Sequence, residues 1–426
     1  MVNPQRLLSS SAIGALDQAL LSAFNLALGV AFIKLVPKAD YADYVLLTTA
    51  LLLLQSMQNA LVNSPLATLL PAAATEAKRQ AIQRVGQVAQ NWLLVGLLLM
   101  GGLGGGVILL TGRLHSLALL LAAVLAGLGV LSREYVRAQC FLRQDALAAL
   151  RADMLYVLLA ALGTVALLWQ GLVSATPVIA LIGAAGLLTD WFMRSSRQTR
   201  AGFLRLSAPD ERDSLRALWG CARWGLPSVL NTWLYANAFL YLVERMMSKD
   251  AVAELSAARL LLVPMSLLVV GWSAAFRPRA SLWLATARAD RVHQVAVRSA
   301  GAFIGIFLLY GLLLILLMPM LQSGLLGDKY RRAGELAPLW LVLFTVGALR
   351  AVGMSAMLAS PAAFRTLYQY GWAALLVALA GSSAACAAGS LRGVLAALVA
   401  AEVVFLSLIW WRGWPSIRHQ THGGHR

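Results

Sequence analysis

Stretches of about 20 apolar residues recur along the chain, the length an α-helix needs to cross the hydrocarbon of a bilayer. Composition points the same way. Of 426 residues, 60% are hydrophobic and 12% are charged. A soluble domain carries roughly 25% charged residues, so half that leaves too little polar surface for a water-soluble globule. The sequence therefore predicts an all-α polytopic membrane protein. It argues against a soluble enzyme, a secreted disulfide scaffold, a disordered chain and a DNA-binding domain. Twelve transmembrane helices are expected, over 11–33, 42–70, 89–111, 116–138, 150–170, 173–193, 222–246, 251–276, 298–320, 335–358, 366–388 and 392–411. No cleavable signal peptide is expected. The first apolar stretch is long, contains Asp17 and Gln18, and lacks a clean small-residue cleavage site after it.

A net charge of +17 raises nucleic acid as a partner, but in a membrane protein basic residues first report orientation. Of the 35 Lys and Arg, 24 fall at the termini and on the side of the loops after even-numbered spans. Nine fall in the loops after odd-numbered spans, and Arg259 and Arg350 lie inside spans. This bias predicts that both termini are cytoplasmic, and it needs no nucleic acid to explain it. Basic loops also suit anionic lipid heads.

The largest break runs from Arg194 to Arg223 and is rich in arginine, with Asp210, Glu211 and Asp213 among the basic residues. It reads as a cytoplasmic linker with an amphipathic surface helix. The expected division is an N-terminal six-helix lobe over 1–195, a basic linker over 196–221, a C-terminal six-helix lobe over 222–412 and a cytoplasmic tail over 413–426. The halves resemble each other weakly. Asp43 and Pro71 bracket span 2, Asp250 and Pro278 bracket span 8, and each pair of equivalents is 207 residues apart. Two matched half-bundles are typical of transporters, which bind substrate at the interface of their repeats.

Signatures of covalent chemistry are missing from the sequence. Cys140, Cys221 and Cys386 have no CxxC spacing and read as packing residues. His419, His422 and His425 cluster in a tail expected to be disordered. The run Gly101-Gly102-Leu103-Gly104-Gly105-Gly106 follows no strand and carries no Lys-Ser/Thr, so it reads as helix packing or bending rather than a phosphate loop. The extracytoplasmic loops are short and hold no catalytic constellation, which disfavours a membrane polymerase or ligase. The reading is therefore a non-enzyme: a secondary transporter or lipid flippase.

Polar groups at membrane depth are costly and usually face a cavity or a partner helix. Span 1 carries Asp17, Gln18, Ser22 and Asn25. Span 2 carries Gln55, Asn59 and Asn63 at successive i+4 steps, with Gln58 beside them and Pro65 interrupting the helix. Span 7 carries Asn237, Tyr241 and Arg245 at i+4 steps, with Asn231 and Tyr235 below. These stripes suit the walls of a hydrated cavity; interhelical hydrogen bonding is the alternative. Arg259 in span 8 and Arg350 in span 10 are rigid, always-charged forks suited to phosphate. Their alternative is an internal ion pair, with Glu254 for Arg259 and Glu402 for Arg350. Arg133 and Arg137, one turn apart at the cytoplasmic end of span 4, either guide an anionic head group inward or anchor the topology. Asp17 is an ion-coupling candidate for Na+ or H+; its alternative is a pair with Lys34 or another basic group.

The N-terminal quarter resembles the Wzx-type polysaccharide flippases of the multidrug/oligosaccharidyl-lipid/polysaccharide exporter (MOP) superfamily. The resemblance lies in a polar first helix with Asp17-Gln18-Ala19-Leu20-Leu21-Ser22-Ala23-Phe24-Asn25. A basic-then-acidic turn follows, Lys34-Leu35-Val36-Pro37-Lys38-Ala39-Asp40-Tyr41-Ala42-Asp43-Tyr44, and Pro71 closes span 2. Ser256-Ala257-Ala258-Arg259-Leu260 and Phe276-Arg277-Pro278-Arg279 are similar to that family's span 8. The turn lacks the glycines of the family pattern. The resemblance implies a V-shaped, MATE-like pair of lobes with alternating access, in a bacterial inner membrane. It implies transfer of undecaprenyl-pyrophosphate-linked oligosaccharide to the periplasmic leaflet, for exopolysaccharide or O-antigen. A polysaccharide polymerase and co-polymerase are the implied protein partners, with no cofactor beyond a coupling ion. In that reading Arg259, Arg350, Arg133 and Arg137 serve the pyrophosphate. Gln55, Asn59, Asn63, Asn231, Tyr235, Asn237 and Tyr241 line the sugar path, and Asp17, Gln18 and Asn25 serve ion coupling. The rivals are a multidrug/cation antiporter of the same superfamily, a polymerase or ligase of the pathway, and a non-transporting scaffold.

Overall fold

The computed structural model describes residues 4–112, 115–195, 209–286, 288–359 and 364–413. Among these the chain is almost entirely helical and has no strand. That is the expected outcome where hydrocarbon offers the backbone no hydrogen bonds, because a helix closes all of its own. Among the described residues ten helices are long and apolar enough to cross a membrane, or eleven where the bent pair is counted as one span. The chain is a multi-pass membrane protein.

Two compact units divide the chain. Unit 1 comprises Met1–Leu28 and Asp43–Leu230; unit 2 comprises Gly29–Ala42 and Asn231–Arg426. Unit 1 uses the first part of α1 (Pro4–Leu35), most of α2 (Lys38–Gln58), α3 (Ser64–Leu69), α4 (Glu76–Leu110), α5 (His115–Leu142), α6 (Ala146–Trp169) and α7 (Ala175–Ser195). It also takes the start of α8 (Pro209–Met246). Unit 2 holds α9 (Lys249–Leu260), α10 (Val263–Ala285), α11 (Ala289–Leu321), α12 (Arg331–Met357), α13 (Phe364–Ala387) and α14 (Leu391–Ser407).

The boundary differs from the sequence expectation in two respects. It falls inside α8, at Leu230/Asn231, and not in the 196–221 segment. Residues 196–208 of that segment, and the tail 414–426 with its histidines, lie outside the described residues. From Pro209 onward the segment is the start of a continuous 38-residue helix. Proline costs no hydrogen bond at a helix start, and Asp210 and Glu211 favour the positive end of the helix dipole. Glu211 is buried and takes a 2.9 Å ion pair from Arg84. The second difference is that residues 29–42 pack with unit 2.

The expected span 7 is the second half of α8. It is long enough, but it falls short of the apolarity of the others because Asn231, Thr232, Asn237, Glu244 and Arg245 interrupt it. Span 8 is not one straight helix either. α9 and α10 meet at 57°. Pro264 sits in the first turn of α10, where it cannot donate to the preceding turn. The carbonyl of Leu261 at the break accepts a 2.5 Å hydrogen bond from the Tyr310 hydroxyl. Span 2 is broken by a π-helical turn over Asn59–Asn63, just ahead of Pro65. Proline is a common cause of such local repacking.

Unit 1 is held by a close crossing of α5 and α7. A Cβ on Gly129 would lie 2.1 Å from the carbonyl oxygen of Gly183. One on Gly183 would lie 2.5 Å from the Ala126 nitrogen, and one on Gly186 2.6 Å from the Gly129 carbonyl. In lipid, helices associate through packing rather than water exclusion, so bare backbone contact is the means of close approach. The glycine run at 101–106 plays a smaller part: Gly101 faces Val124, while Gly102 and Gly106 face open space. In unit 2 the core is aromatic, with Trp272 stacked on Phe276 at 4.5 Å and Phe303 packed edge-on against both Trp272 and Phe307.

Backbone-to-backbone contact leaves no flexible neighbour to yield. Gly183→Val is expected to destabilise the chain by about 1–3 kcal/mol or more. Gly106→Ala, in open space, should be neutral. Thermal unfolding of the two variants in detergent checks this, and equal midpoints would refute the crossing as the organising contact.

Candidate functional sites in the two units

Each unit carries its own buried charge cluster. In unit 1, α5 brings Arg133, Glu134 and Arg137 to Asp17 of α1 and Asp153 of α6. Arg137 Nη2 donates to Asp17 Oδ2 at 2.6 Å, and its Nε also reaches Asp17 Oδ2, at 3.1 Å. The same Nε lies 2.8 Å from Asp153 Oδ2. Arg133 Nη2 pairs with Glu134 at 2.5 Å, and its Nη1 lies 3.6 Å from Asp153 Oδ1. The Arg133 guanidinium also stacks 4.1 Å from the centre of the Tyr156 ring. Asp17 and Asp153 are fully buried. With all five groups ionised, three carboxylates face two guanidiniums, one negative charge in excess. The Asp17 Oδ1 atom accepts no hydrogen bond.

This placement bears on two sequence readings. Arg133 and Arg137 do not lie open at a cytoplasmic rim; both are engaged by buried carboxylates. Of the two pairings open to Asp17, with Lys34 or with another basic group, the structure shows the second: Arg137 pairs with it, while Lys34 is more than four helical turns along α1. Gln18 and Asn25 are exposed and stand apart from the cluster. Asp153 and Glu134 were missed by the sequence reading. The signal for Asp153 was present: it is the only carboxylate in a 24-residue helix, α6, about two turns past its start, and Arg151 is the only other charged residue there.

The polar stripe of span 2 splits. Gln58, not its neighbours, is fully buried. Its amide donates to Gln90 Oε1 at 2.7 Å and to the Leu131 carbonyl at 2.5 Å. That is interhelical hydrogen bonding. Gln55 and Asn63 are half-buried and Asn59 is exposed. In span 7, Asn237 donates to the carbonyl of Trp233 on its own helix, and Tyr241 packs against the Trp233 ring.

In unit 2, Arg259, Tyr235, Trp340, Arg350 and Glu402 line one cavity of about 270 Å³. Arg350 Nε lies 2.5 Å from Glu402 Oε2 and Nη2 lies 3.3 Å from Oε1, so the guanidinium grips the carboxylate with two nitrogens. Its face lies over Phe405 and Tyr235, at 5.1 and 5.7 Å. Arg259 is different. The carboxylate expected for it, Glu254, is instead bound by Lys38 at 2.6 Å. Among the described residues no carboxylate lies within ion-pair distance of Arg259; its guanidinium sits 5.7 Å from the centre of the Trp340 ring. The position also suits a cation, because Arg259 lies in the last turn of α9, at the negative end of its dipole. The Trp340 indole N–H, on the same wall, meets no acceptor among the described residues. The cavity therefore carries a formal charge of +1. Asn231 is buried elsewhere in this unit, against Gly371.

No protein-family model matches this sequence, and no curated protein matches it either. Solved structures do match along nearly the whole chain. Lipid II flippase MurJ, in an inward closed conformation, aligns with 97% of this chain and 91% of its own, at 12% identity and a TM-score of 0.70. An inward-facing multidrug resistance MATE family transporter of the MOP superfamily aligns with 95% and 96%, at 12% identity and a TM-score of 0.68. A MOP superfamily transporter from Pyrococcus furiosus, described as having a binding pocket of reverse polarity, aligns at 14% identity and a TM-score of 0.63. The fold is that of the MOP transporters. At these identities the likeness extends to architecture and not to substrate.

The unit 1 cluster yields a stability test. Removing one member of a buried ion pair strands the other and costs about 3–5 kcal/mol. Arg137→Met should therefore lower the unfolding midpoint in detergent sharply. Adding Asp17→Asn to it should restore a large part of the loss. A single variant as stable as the parent would sink the network as a structural element.

Proposed function

We propose that this MOP-fold protein is a flippase for undecaprenyl-pyrophosphate-linked oligosaccharide, moving it from the cytoplasmic to the periplasmic leaflet by alternating access. The observation that carries the proposal is the uncompensated Arg259 in a cavity of net positive charge. An unpaired guanidinium at membrane depth is costly, and its retention is explained by an anionic ligand that completes it. A pyrophosphate supplies the charge and the acceptor oxygens for such a fork. The aromatic groups of this cavity, Tyr235 and Trp340 above all, suit the flat faces of sugar rings. The partners in this reading are the lipid-linked saccharide, the surrounding lipids, and the polymerase and co-polymerase that use the product. In this reading the setting is the bacterial inner membrane; the distribution of Lys and Arg supports cytoplasmic termini.

Asp17 belongs to the ion-coupling half of the proposal. The unit 1 cluster has one more carboxylate than guanidinium, so a proton or Na+ is the natural balancing charge. The same excess favours a second reading, a multidrug/cation antiporter, in which a cationic drug supplies the balance. Arg259 speaks against that reading within unit 2, where it repels a cation.

The test separates them. In a host lacking its own flippase, Arg259→Ala at normal membrane abundance is expected to cut surface polymer at least about tenfold, the scale of one charge-assisted contact to phosphate. Arg259→Lys should recover part of it. Unchanged polymer in both variants, or polymer-independent drug resistance conferred by the parent chain, would reject the flippase reading.

A further inference from the structure

The two arginines of the unit 2 cavity are not equivalent, and the difference has a chemical meaning. Among the described residues Arg259 has no carboxylate partner, whereas Arg350 is already occupied. Glu402 reaches from α14 to α12 and takes two of the Arg350 nitrogens, and it lines the same cavity as Arg259. The third nitrogen, Nη1, has only the Met354 sulfur at 3.5 Å, a weak acceptor. Glu402 thus mimics, from within the chain, what an anionic ligand would offer to Arg350.

We infer that Glu402 is an internal competitor that sets selectivity for diphosphate over monophosphate and carboxylate at this cavity. The inference rests on the anion reading of the cavity given above. A ligand engaging both arginines must displace the Glu402 carboxylate from Arg350. A monophosphate or carboxylate offers Arg350 little more than Glu402 already does, and the Glu402 charge repels it in a low-dielectric site. A diphosphate spans more acceptor oxygens and more charge, and Arg259 draws on it as well. Only such a ligand outcompetes the resident carboxylate. The Arg350 guanidinium does not depend on Glu402 alone for its position, because the Phe405 and Tyr235 rings lie against it. Relieving the competition therefore leaves a usable cation. Glu402 is a specificity-determining residue in this scheme and makes no contact with bound diphosphate. The arrangement also explains why an anion site carries a buried carboxylate at all: neutral or cationic walls alone would hold any phosphate.

The experiment is a binding titration on the purified full-length chain in detergent. The probes are farnesyl pyrophosphate and farnesyl monophosphate, with farnesol measuring binding by the prenyl tail alone. The parent chain is expected to prefer the diphosphate. Glu402→Gln keeps the side-chain volume and an oxygen acceptor while removing the charge. It should bind both phosphorylated probes more tightly, by at least about tenfold for the monophosphate, so that the preference for diphosphate shrinks. Adding Arg350→Ala should abolish the gain. Glu402→Ala provides a second variant with the same expected direction. A merely structural Glu402 predicts the opposite sign, because Arg350 would lose its anchor and affinity would fall. Equal or weaker binding by both Glu402 variants therefore overturns the inference and leaves the anion site standing. If the parent and the variants bind the phosphorylated probes no better than farnesol, the anion reading falls and the inference falls with it.

Discussion

Charge has no solvent at membrane depth, and most of this molecule's interior follows from that. A backbone in hydrocarbon closes its hydrogen bonds by forming helices. A charged side chain has no such local remedy and must find a partner on another helix. In unit 1 this ties α1, α5 and α6 together through Asp17, Arg137 and Asp153. In unit 2 it ties α12 to α14 through Arg350 and Glu402, and residue Lys38 to α9 through Glu254. Arg259 stands apart from this pattern: among the described residues no carboxylate pairs with it.

Packing supplies what charge does not. The crossing of α5 and α7 is close because three glycines put backbone against backbone. The two breaks, at the π-helical turn before Pro65 and at the 57° bend before Pro264, fall where a proline removes a donor. The second break has a consequence for the site. It ends α9 at Leu260, so that Arg259 sits in a last helical turn and not in the middle of a straight span. The dipole and the cavity then act on the same side chain.

Much of this was legible in the sequence. The helices, their approximate ends and the membrane setting all follow from apolar runs, because hydropathy is a local property. So did the identity of Arg350, and Glu402 as its possible partner. The partners of Asp17 and Arg259 were not legible. Asp17 had Lys34 as a nearby candidate in sequence, yet its partner lies 120 residues away on α5. Arg259 had Glu254 five residues before it, yet Lys38 takes that carboxylate from 216 residues away. The polar stripe in span 2 misled for a related reason: equal spacing along one helix does not say which face is covered, and Gln58 rather than Asn59 meets Gln90.

The sequence by itself determined that this chain is a multi-pass helical membrane protein, since apolar run length and the scarcity of charge leave no other fold in which the backbone is satisfied. Tertiary structure alone decided which charges cancel. An ion pair depends on which helix faces come within a few ångströms, and that is set by packing between segments far apart in the chain. That pairing left Arg350 closed by Glu402 and Arg259 open.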